Sequence, residues 1–309
     1  KTLEMFDIIL EIVILLFNLL IQNLISLIKY ALPYSLLPKK DLYRKKVLIT
    51  GAGNGLGKLL AQKFAARGAT LILWDINLQS VDELKNEIRG NQGEAHSYEV
   101  NLCDPGKIAQ VGQQVINDIG KVDILVNNAG IATAKMILDS SENEINRSFD
   151  VNVKAHFYTV QQFLPAMLKD NNGHIVTIAS AAGKMGSSGL ADYSSTKHAA
   201  VGFHDSLVAE IMESEKNGVK TTLVCPYYVH TSMFDATGAA TRFPWIFPIL
   251  DTDYVVQKIF EAIETEQEFL VTPRAFYLVF AGIQILPYKA QAMVAQFFGL
   301  VQNLERFHK

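Results

Sequence analysis

Two stretches of the sequence, YSSTK and YVVQK, each place a tyrosine four residues before a lysine: Tyr193 before Lys197, and Tyr254 before Lys258. On a helix, residues at this spacing lie on one face, one turn apart. A lysine ammonium beside a phenol favours the ionised phenol, so either pair could act as an acid/base. A chain with 11 tyrosines also produces such pairs by chance. The surrounding sequence must therefore decide between them.

The elements around the first pair alternate in type. From Lys45 onward, short apolar runs alternate with helical stretches, which predicts βαβ units and a parallel sheet covered on both faces. The predicted strands are KKVLIT, TLILWD, AHSYEV, VDILVNN, HIVTIAS and KTTLVCP. We therefore predict an α/β fold with a Rossmann-like, doubly wound parallel sheet. An apolar amphipathic helix precedes this sheet, and an apolar helical extension follows it.

Composition divides the chain into three predicted parts. We predict an anchor helix and hinge at 1–40, a cofactor-binding catalytic domain at 41–270, and an apolar helical extension at 271–309. A substrate lid is predicted at about 231–252, because the aromatic run FPWIFPIL lies there. In the extension, AFYLVFAGIQILP and AQAMVAQFFGLV are too short to span a membrane comfortably. We expect them to lie on lipid or to close over a lipophilic ligand.

Charge and cysteine content limit the possible partners. The net charge of −3 gives no indication of nucleic-acid binding. Cys103 and Cys225 lack metal-ligand and CxxC spacing, and each closes a predicted strand. We interpret both as buried, reduced thiols in a reducing compartment. His174, His204 and His230 share no ligand spacing either, so no metal site is expected.

A glycine-rich turn, TGAGNGLG, lies between the first predicted strand and a helix. Its glycines, Gly51, Gly53, Gly55 and Gly57, permit a tight turn and a close approach to a pyrophosphate, whose charge the helix N-terminus stabilises. Asp75 closes the next strand 18 residues after the last glycine, near the interval expected for a carboxylate that binds the adenosine ribose diol. No arginine or lysine lies in the turn or just after Asp75, so NAD is predicted rather than NADP.

The spacing TGxxxGxG is similar to that of the short-chain dehydrogenase/reductase superfamily, and further matches follow in order. NNAG at 127–130 ends the fourth strand, SFDVNVKAHF comes next, and Ser180 closes the fifth strand. Tyr193 follows Ser180 by 13 residues and precedes Lys197 by four, as in that family. PYYVHT resembles the family's P-G-x-V-x-T segment beside the nicotinamide. These matches cover Val47 to Thr231 and identify the first tyrosine–lysine pair as the active one.

This resemblance implies specific site residues. The catalytic set is Asn152, Ser180, Tyr193 and Lys197. The cofactor-binding set is Gly51, Asn54, Gly55, Leu56, Gly57, Asp75, Asn101, Leu102, Asn128, Ala129, Gly130, Tyr193, Lys197, Pro226, Val229 and Thr231. Asn101 replaces the family's adenine-contacting aspartate, which weakens that match. Tyr227 replaces the glycine of P-G-x-V-x-T and adjoins Tyr228, which indicates either a hydrophobic entrance or a packing role.

The expected chemistry follows from the phenol. A free phenol has a pKa near 10, and lowering it by about three units needs roughly 4 kcal/mol. The Lys197 ammonium and the positive nicotinamide of NAD are expected to supply this together. Tyr193 would then remove the hydroxyl proton while hydride passes to the cofactor, and Ser180 would hold the substrate oxygen. From the family come two further roles: Lys197 binds the nicotinamide ribose, and Asn152 supports a water in the proton relay.

The second tyrosine–lysine pair has no predicted strand before it and no cofactor turn to share. We therefore interpret Tyr254 and Lys258 as surface positions on an ordinary helix. The helix of the first pair continues as KHAAVGFHDSLVAEI, which is apolar enough to form the face of a homodimer, as in the family. Core packing explains the same pattern almost as well.

The N-terminal stretch is mostly aliphatic from Met5 to Leu32, and Ile12 to Ile28 carries no charge. Nearly all of its polar residues fall within an arc of about 100° at helical periodicity. We favour an anchor on a lipid surface, with a spanning helix or a core-packing helix as alternatives. The acidic start and the lack of a small-residue cleavage site argue against a secretory signal peptide. A basic run follows, consisting of Lys39, Lys40, Arg44, Lys45 and Lys46. It could meet anionic head groups and keep the next domain cytosolic.

The apolar N-terminal helix, LILWDIN and CPYYVHT resemble one branch of the superfamily, the membrane- or lipid-droplet-associated retinol dehydrogenases and the related 17-beta-hydroxysteroid dehydrogenases. GLADYSSTKHAAVGF is similar to the epidermal retinol dehydrogenases. The resemblance implies NAD-dependent oxidation of a retinol-like or steroid-like alcohol at the endoplasmic reticulum membrane or a lipid droplet. One alternative is a reductase of 3-ketoacyl or 3-keto-sphingoid lipids, which would use NADP and is disfavoured by Asp75. Another is a lipid-droplet coat protein with little turnover, which is disfavoured by the intact catalytic set.

Overall fold

The computed structural model describes residues 2–231 and 242–298. The chain divides between Lys40 and Asp41 into two compact units. The middle of the predicted lid, 232–241, and the end of the predicted extension lie outside the described ranges.

The first unit contains one long helix, α1 (Thr2–Ala31), and a short 3₁₀ turn at Tyr34–Leu36. The apolar side chains described on α1 are exposed, Leu20 to 66 % and Phe17 to 61 %. Its segment Asp7–Ile28 is long and apolar enough to cross a membrane. So much exposed apolar surface marks α1 as a segment that interacts with another apolar surface.

The second unit is built on a parallel sheet of seven strands among the described residues. In chain order the strands are β1 (Lys46–Thr50), β2 (Thr70–Asp75), β3 (Glu94–Glu99), β4 (Ile124–Asn127), β5 (Gly173–Ile178), β6 (Val219–Pro226) and β7 (Phe269–Thr272). Their spatial order is β3-β2-β1-β4-β5-β6-β7. Val47 of β1 pairs with both Leu71 of β2 and Ile124 of β4. The order reverses between β1 and β4, where ligands bind in such sheets. The predicted Rossmann-like α/β fold is confirmed.

Helices cover both faces of this sheet. They are α2 (Gly55–Ala65), α3 (Leu78–Gly90), α4 (Pro105–Asp118), α5 (Glu142–Phe149), α6 (Ala155–Asp170), α7 (Ala191–Glu213), α8 (Thr252–Glu264), α9 (Ala275–Ile283) and α10 (Tyr288–Phe297). Side chains alternate across a strand, so Val47 and Ile49 join one core cluster and Leu48 joins the other. Helices α2, α3 and α8 supply the first cluster, while α4 and α6 supply the second. Because the strands are parallel, all of their carboxyl ends lie at one edge of the sheet.

The strand β7 is absent from the sequence prediction. Its four residues, FLVT, are too few to show a periodicity, but they pair with β6 at Leu223–Phe269, Val224–Leu270 and Cys225–Val271. The strand spans position 270, where composition places the start of the apolar extension. After it, α9 packs into the same core cluster as α8 through Phe276 and Phe280.

The two cysteines differ from each other. Cys225 is buried in β6, as predicted, and burial raises the pKa of its thiol to about 12. The prediction for Cys103 is wrong, because β3 ends at Glu99 and Cys103 lies beyond it, partly exposed. The Asn101 side chain accepts a hydrogen bond from the Cys103 N–H at 3.0 Å and turns the chain there. The apolar letters after β3 therefore belong to a turn rather than to the strand.

Candidate active site

The glycine turn begins the cavity at the sheet edge. Gly51 and Gly55 have φ of +65° and +52°, in the left-handed region that glycine adopts without strain. Asn54 caps α2 by accepting a hydrogen bond from the Gly55 N–H at 2.7 Å. A Cβ on Gly57 would lie 2.2 Å from the Gly51 carbonyl oxygen, so Gly57 lets α2 pack against the turn. The first N–H groups of α2 are thereby directed to the edge where a phosphate binds.

Asp75 and Asn128 hold this turn from either side. Asp75 Oδ2 accepts a hydrogen bond from the Gly53 N–H at 2.9 Å, and Oδ1 accepts one from Asn77 at 2.9 Å. Asn128 Nδ2 donates to the carbonyl oxygens of Thr50 at 2.9 Å and Gly51 at 3.1 Å. Each carboxylate oxygen keeps acceptor capacity on the cavity side. Asp75 is thus placed to accept hydrogen bonds from a diol.

A cavity of about 520 Å³ runs along the carboxyl ends of the strands. The predicted residues that line it are Gly51, Asn54, Gly55, Leu56, Asp75, Asn101, Leu102, Asn128, Ala129, Gly130, Ser180, Tyr193, Lys197, Pro226, Val229 and Thr231. Gly57 and Asn152 lie behind its wall. Sequence reasoning missed Ile76, Val100, Cys103, Arg147 and Val151, which also line the cavity. Ile76 and Val100 directly follow β2 and β3, so their position at the sheet edge was the available signal.

Tyr193, Ser180 and Lys197 meet inside this cavity. Tyr193 and Lys197 lie on α7 and are 6 % and 3 % exposed. Ser180 lies two residues beyond β5 and begins a 3₁₀ turn, and its side chain is hydrogen-bonded to Tyr193. Lys197 Nζ donates to the Ile178 carbonyl oxygen at 3.0 Å and lies 5.6 Å from the centre of the Tyr193 ring. The structure thus brings the three predicted residues into one group.

The electrostatics of this group differ from the expectation for the phenol. Burial raises the pKa of Tyr193 to about 12, and the hydrogen bond with Ser180 opposes this rise only in part. Burial also lowers the pKa of Lys197 to about 8. The protein groups therefore keep the Tyr193 phenol protonated at neutral pH. Ionisation of the phenol requires a further positive charge in the cavity.

Asn152 lies behind the catalytic group in a π-helical turn, Asp150–Lys154, between α5 and α6. Its Nδ2 donates to the Ile131 carbonyl oxygen at 2.8 Å and to Thr196 Oγ1 at 3.0 Å, and its Oδ1 accepts from the Ile131 N–H at 2.8 Å. Both amide hydrogens are thus committed. Any water bound by Asn152 must use the remaining lone pair of Oδ1 or the backbone carbonyl.

A buried carboxylate that sequence reasoning missed fixes the start of α7. Asp192, next to Tyr193, is 5 % exposed. Its Oδ2 accepts hydrogen bonds from Thr133 Oγ1 at 2.8 Å and Ser148 Oγ at 2.9 Å. Thr196 Oγ1 further donates to the Tyr193 carbonyl oxygen at 2.7 Å. These bonds tie α7 to α5 and to the loop after β4, so they position Tyr193. Nothing in the local sequence marks Asp192 for this role.

The aromatic pair after β6 packs and also lines the cavity. Tyr227 is buried against Phe276, with ring centres 4.6 Å apart. Tyr228 is hydrogen-bonded to Ser187, and burial raises its pKa. Both tyrosines also line the cavity. Tyr227 therefore packs the wall, and Tyr228 lines the cavity beside it.

The second tyrosine–lysine pair lies on the surface of α8, as predicted. Tyr254 is 43 % exposed, and neither it nor Lys258 lines the cavity. Lys258 Nζ forms an ion pair with Glu261 at 2.7 Å on the same helix. The same tyrosine–lysine spacing therefore occurs in two different environments. Helix α7 runs past the carboxyl edge of the sheet, whereas α8 contributes no residue to the cavity.

Two buried histidines make the fold sensitive to acid. Burial lowers the pKa of His156 to about 3 and that of His204 to about 4, below the ordinary value of 6.5. Below pH 6.5 the unfolded chain therefore binds more protons than the folded chain, and the free energy of unfolding falls as the pH falls towards 4. At pH 5 each histidine costs roughly 2 kcal/mol.

Replacing one histidine tests this sensitivity. The His156 ring is 6.0 Å from Phe203, and neither ring nitrogen has a hydrogen-bond partner among the described residues, so phenylalanine suits the site. In His156→Phe, we expect the loss of unfolding free energy between pH 7 and pH 5 to shrink by roughly 2 kcal/mol. Denaturant unfolding of the detergent-solubilised chain at both pH values measures this. An equal loss in both proteins would contradict the assignment of His156.

The residues of the cavity fit a nicotinamide dinucleotide. A Cβ on Gly55 would meet no atom within 4 Å, so the turn leaves open space beside its backbone. At the other end, a Cβ on Gly130 would approach Lys197 Nζ to 3.3 Å, so the wall there is also bare backbone. A carboxylate near one end, a phosphate-binding helix end and a Ser–Tyr–Lys group define the site of an NAD(P)-dependent oxidoreductase.

Comparison with known proteins gives the family. The sequence profile described as short chain dehydrogenase matches residues 45–241, and the chain belongs to this family. It is 42 % identical to epidermal retinol dehydrogenase 2 of Mus musculus over 271 residues, 87 % of each chain. It is 40 % identical to retinol dehydrogenase 10 of Homo sapiens over 286 residues, 84 % of each chain. The relatives thus fall in the retinol dehydrogenase branch that the sequence resembles.

Solved structures show the same fold with both forms of the cofactor. A short chain dehydrogenase/reductase from Burkholderia phymatum in complex with NAD has a TM-score of 0.70 and 26 % identity, covering 78 % of this chain and 93 % of that one. A metagenomic short-chain oxidoreductase in complex with NADP has a TM-score of 0.63 and 25 % identity, covering 75 % and 97 %. The fold therefore accommodates either cofactor, and the choice rests on local residues.

Proposed function

We propose that this enzyme oxidises a retinol-like alcohol to the aldehyde with NAD at a lipid surface. The observation that carries the proposal is the Ser180–Tyr193–Lys197 group at one end of a cavity whose other end carries Asp75. The names of the related retinol dehydrogenases support a retinoid rather than a steroid as the substrate.

The roles of the residues follow from their contacts. Ser180 and Tyr193 share a hydrogen bond, so both hydroxyls can meet one substrate oxygen. Tyr193 takes the proton from the substrate hydroxyl as the carbon loses hydride. Lys197 donates one N–H to Ile178 and has two more to bind a ribose and to keep positive charge beside the phenol. When bound, an oxidised nicotinamide supplies the hydride acceptor and a positive charge that favours the ionised phenol.

NAD is favoured by the surroundings of Asp75. A carboxylate at the end of β2 accepts hydrogen bonds from a ribose diol but repels a 2′-phosphate. The residue after it, Ile76, is apolar and 58 % exposed, so it offers no charge to a phosphate. Lipid ketone reduction with NADP is correspondingly less well supported.

The substrate end of the cavity suits a lipophilic molecule. Its wall includes Ile131, Ala132, Met185, Leu190 and Tyr228. Contact between this wall and an apolar substrate is favourable, while the hydroxyl groups of Ser180 and Tyr193 fix the position of one polar atom of the substrate. This arrangement matches an alcohol with a long apolar body and a single hydroxyl.

We place the enzyme at the endoplasmic reticulum membrane or a lipid droplet, with α1 as anchor and the catalytic domain in the cytosol. The exposed apolar surface of α1 supports this location. A homodimer through α6 and α7 is supported by Phe157, which is 44 % exposed and contacts the Phe203 ring at a tilt, with 4.4 Å between ring centres.

The reaction is tested by NADH formation in detergent. The substrates are all-trans-retinol, estradiol and a long-chain alcohol, each with NAD or NADP, and the reverse panel contains retinal and a 3-keto-sphingoid ketone with NADH or NADPH. We expect the highest kcat/KM with retinol and NAD. Preferred estradiol oxidation would replace the substrate class, and preferred ketone reduction with NADPH would replace the reaction. NAD binding without turnover of any substrate would support a coat protein instead.

A further inference from the structure

Two segments of the catalytic unit, 242–250 and 275–298, expose many large apolar side chains. We call this exposed area the C-terminal apolar surface, and it consists of Trp245 (79 % exposed), Leu278 (81 %), Ile285 (83 %), Tyr288 (86 %), Met293 (63 %) and Phe297 (54 %). Large apolar groups that are exposed together mark an interaction surface in soluble proteins. This surface belongs to the catalytic unit and is separate in sequence from α1.

The segments that form this surface hold themselves together through aromatic contacts. Phe243 lies 6.2 Å from Trp245 and 5.6 Å from Phe297, measured between ring centres. Arg242 donates to the Phe297 carbonyl oxygen at 3.0 Å and covers the Phe297 ring at 4.9 Å. The run 242–250 and α10 are thus joined, although 52 residues separate Trp245 from Phe297.

Aromatic contacts continue from this surface to the wall of the cavity. Phe298, at the end of α10, lies 5.4 Å from Phe247 between ring centres. Phe247 lies 5.0 Å from Phe276, and Phe276 lies 4.6 Å from Tyr227, which lines the cavity. These packed rings fix the segments that carry the exposed surface against the cavity wall at Tyr227.

The charges on these segments have one sign. Residues 271–298 contain Arg274 and Lys289 but no aspartate or glutamate, and 242–250 contains Arg242 but no acid. Exposed apolar side chains with a tryptophan, a tyrosine and only basic charges are what an anionic lipid surface attracts. A protein partner with a complementary surface would not require that all of these charges be positive.

We propose that the C-terminal apolar surface docks on an anionic lipid surface as a second contact, independent of α1. This inference rests on the proposed lipid location of the enzyme.

The two tryptophans make the docking directly measurable. Trp245 is 79 % exposed, whereas Trp74 is fully buried in the core. Bromine atoms on lipid acyl chains quench only a tryptophan that contacts them, so quenching reports Trp245 and is blind to α1, which has no tryptophan. The full chain is reconstituted with vesicles of phosphatidylcholine and phosphatidylserine that carry brominated chains. We expect strong quenching, and its absence in Trp245→Phe.

Variants separate this surface from the anchor. Leu278→Glu with Ile285→Glu should reduce quenching at least fivefold while the chain still floats with the vesicles. Met212→Glu is the matched control, because Met212 is 72 % exposed at the end of α7 and should leave quenching unchanged. All three side chains are exposed, so folding is retained, which NADH binding and far-UV circular dichroism check.

The outcomes distinguish this surface from the proposed function. A chain that floats with vesicles but shows no quenching of Trp245 would overturn the second contact and leave the lipid location standing. Equal loss of quenching in Met212→Glu would also overturn it. A chain that neither floats nor shows quenching would overturn both the contact and the lipid location. The oxidation in detergent would still stand on its own measurement.

Discussion

Replacing Tyr193 with phenylalanine is expected to lower kcat by roughly 10²–10⁴-fold while the Kd for NADH stays within about twofold. The ring would still fill its buried position, because Tyr193 is only 6 % exposed and phenylalanine keeps the same shape. The loss would be the hydroxyl that meets Ser180 and takes the proton. Steady-state kinetics with retinol and NAD, together with NADH fluorescence titration, measure both quantities.

The pH profile adds a readout that a structural defect does not imitate. Burial raises the pKa of Tyr193 to about 12, so the phenol is mostly protonated at neutral pH. Oxidation uses the ionised phenol, so its rate should rise with pH by up to about tenfold per unit from pH 7 to about pH 8, above which Lys197, with a pKa of about 8, loses the charge that favours the ionised phenol. Reduction uses the protonated phenol and should not rise. The residual oxidation of Tyr193→Phe should lack this rise.

The chain contains its own control for this substitution. Tyr254 has the same spacing to a lysine, yet it is 43 % exposed on α8. Tyr254→Phe should therefore keep full activity and the full pH dependence. If Tyr193→Phe keeps more than a tenth of the activity, or if Tyr254→Phe loses as much, the assignment of the acid/base is wrong.

The second large effect is a change of cofactor preference. Asp75→Asn together with Ile76→Arg is expected to shift the ratio of kcat/KM for NAD over NADP by on the order of 10² towards NADP. The first change removes a charge that repels a 2′-phosphate, and the second supplies a guanidinium that binds one. Asparagine keeps one of the two acceptors that Gly53 and Asn77 use, so the turn retains part of its support.

The single variants show whether charge or packing is responsible. Ile76→Arg alone leaves Asp75 in place, so it should improve NADP use by only about tenfold. Tyr193 and Lys197 are untouched, so kcat with saturating NAD should change little. A double variant that loses both cofactors equally would indicate a collapsed turn. A native enzyme that already prefers NADP would refute the role of Asp75.

The sequence predicts the sheet and the catalytic group well for physical reasons. Buried parallel strands are continuous apolar runs, and their carboxyl ends must meet at one edge. At that edge lie Gly51, Asp75, Asn128, Ser180 and Pro226. Their positions near strand ends in the sequence were therefore enough to predict that they lie close together. The Tyr193–Lys197 pair could be distinguished from Tyr254–Lys258 because a predicted strand ending in Ser180 precedes only the first pair.

The features that sequence missed depend on contacts between distant segments. Asp192 looks like any helix acid, yet Thr133 and Ser148 converge on it from other elements. The strand β7 is four residues long and owes its place to β6. Cys103 was misplaced because the Asn101 turn interrupts an apolar run. The protonated state of Tyr193 follows from burial, which no local spacing reveals.

In the π-helical turn that holds Asn152, the number of residues matters more than the identity of the side chains. A π turn carries one more residue than an α-helix of the same rise. Deleting one residue between Asp150 and Lys154 would restore a regular α-helix from α5 into α6 and leave every other side chain of the two helices present. The flanking helices would keep their register, because the π turn absorbs the extra residue within one turn, and the change would be confined to the turn that positions Asn152. A library of substitutions would pass over this constraint, whereas a scan of single-residue deletions would expose it.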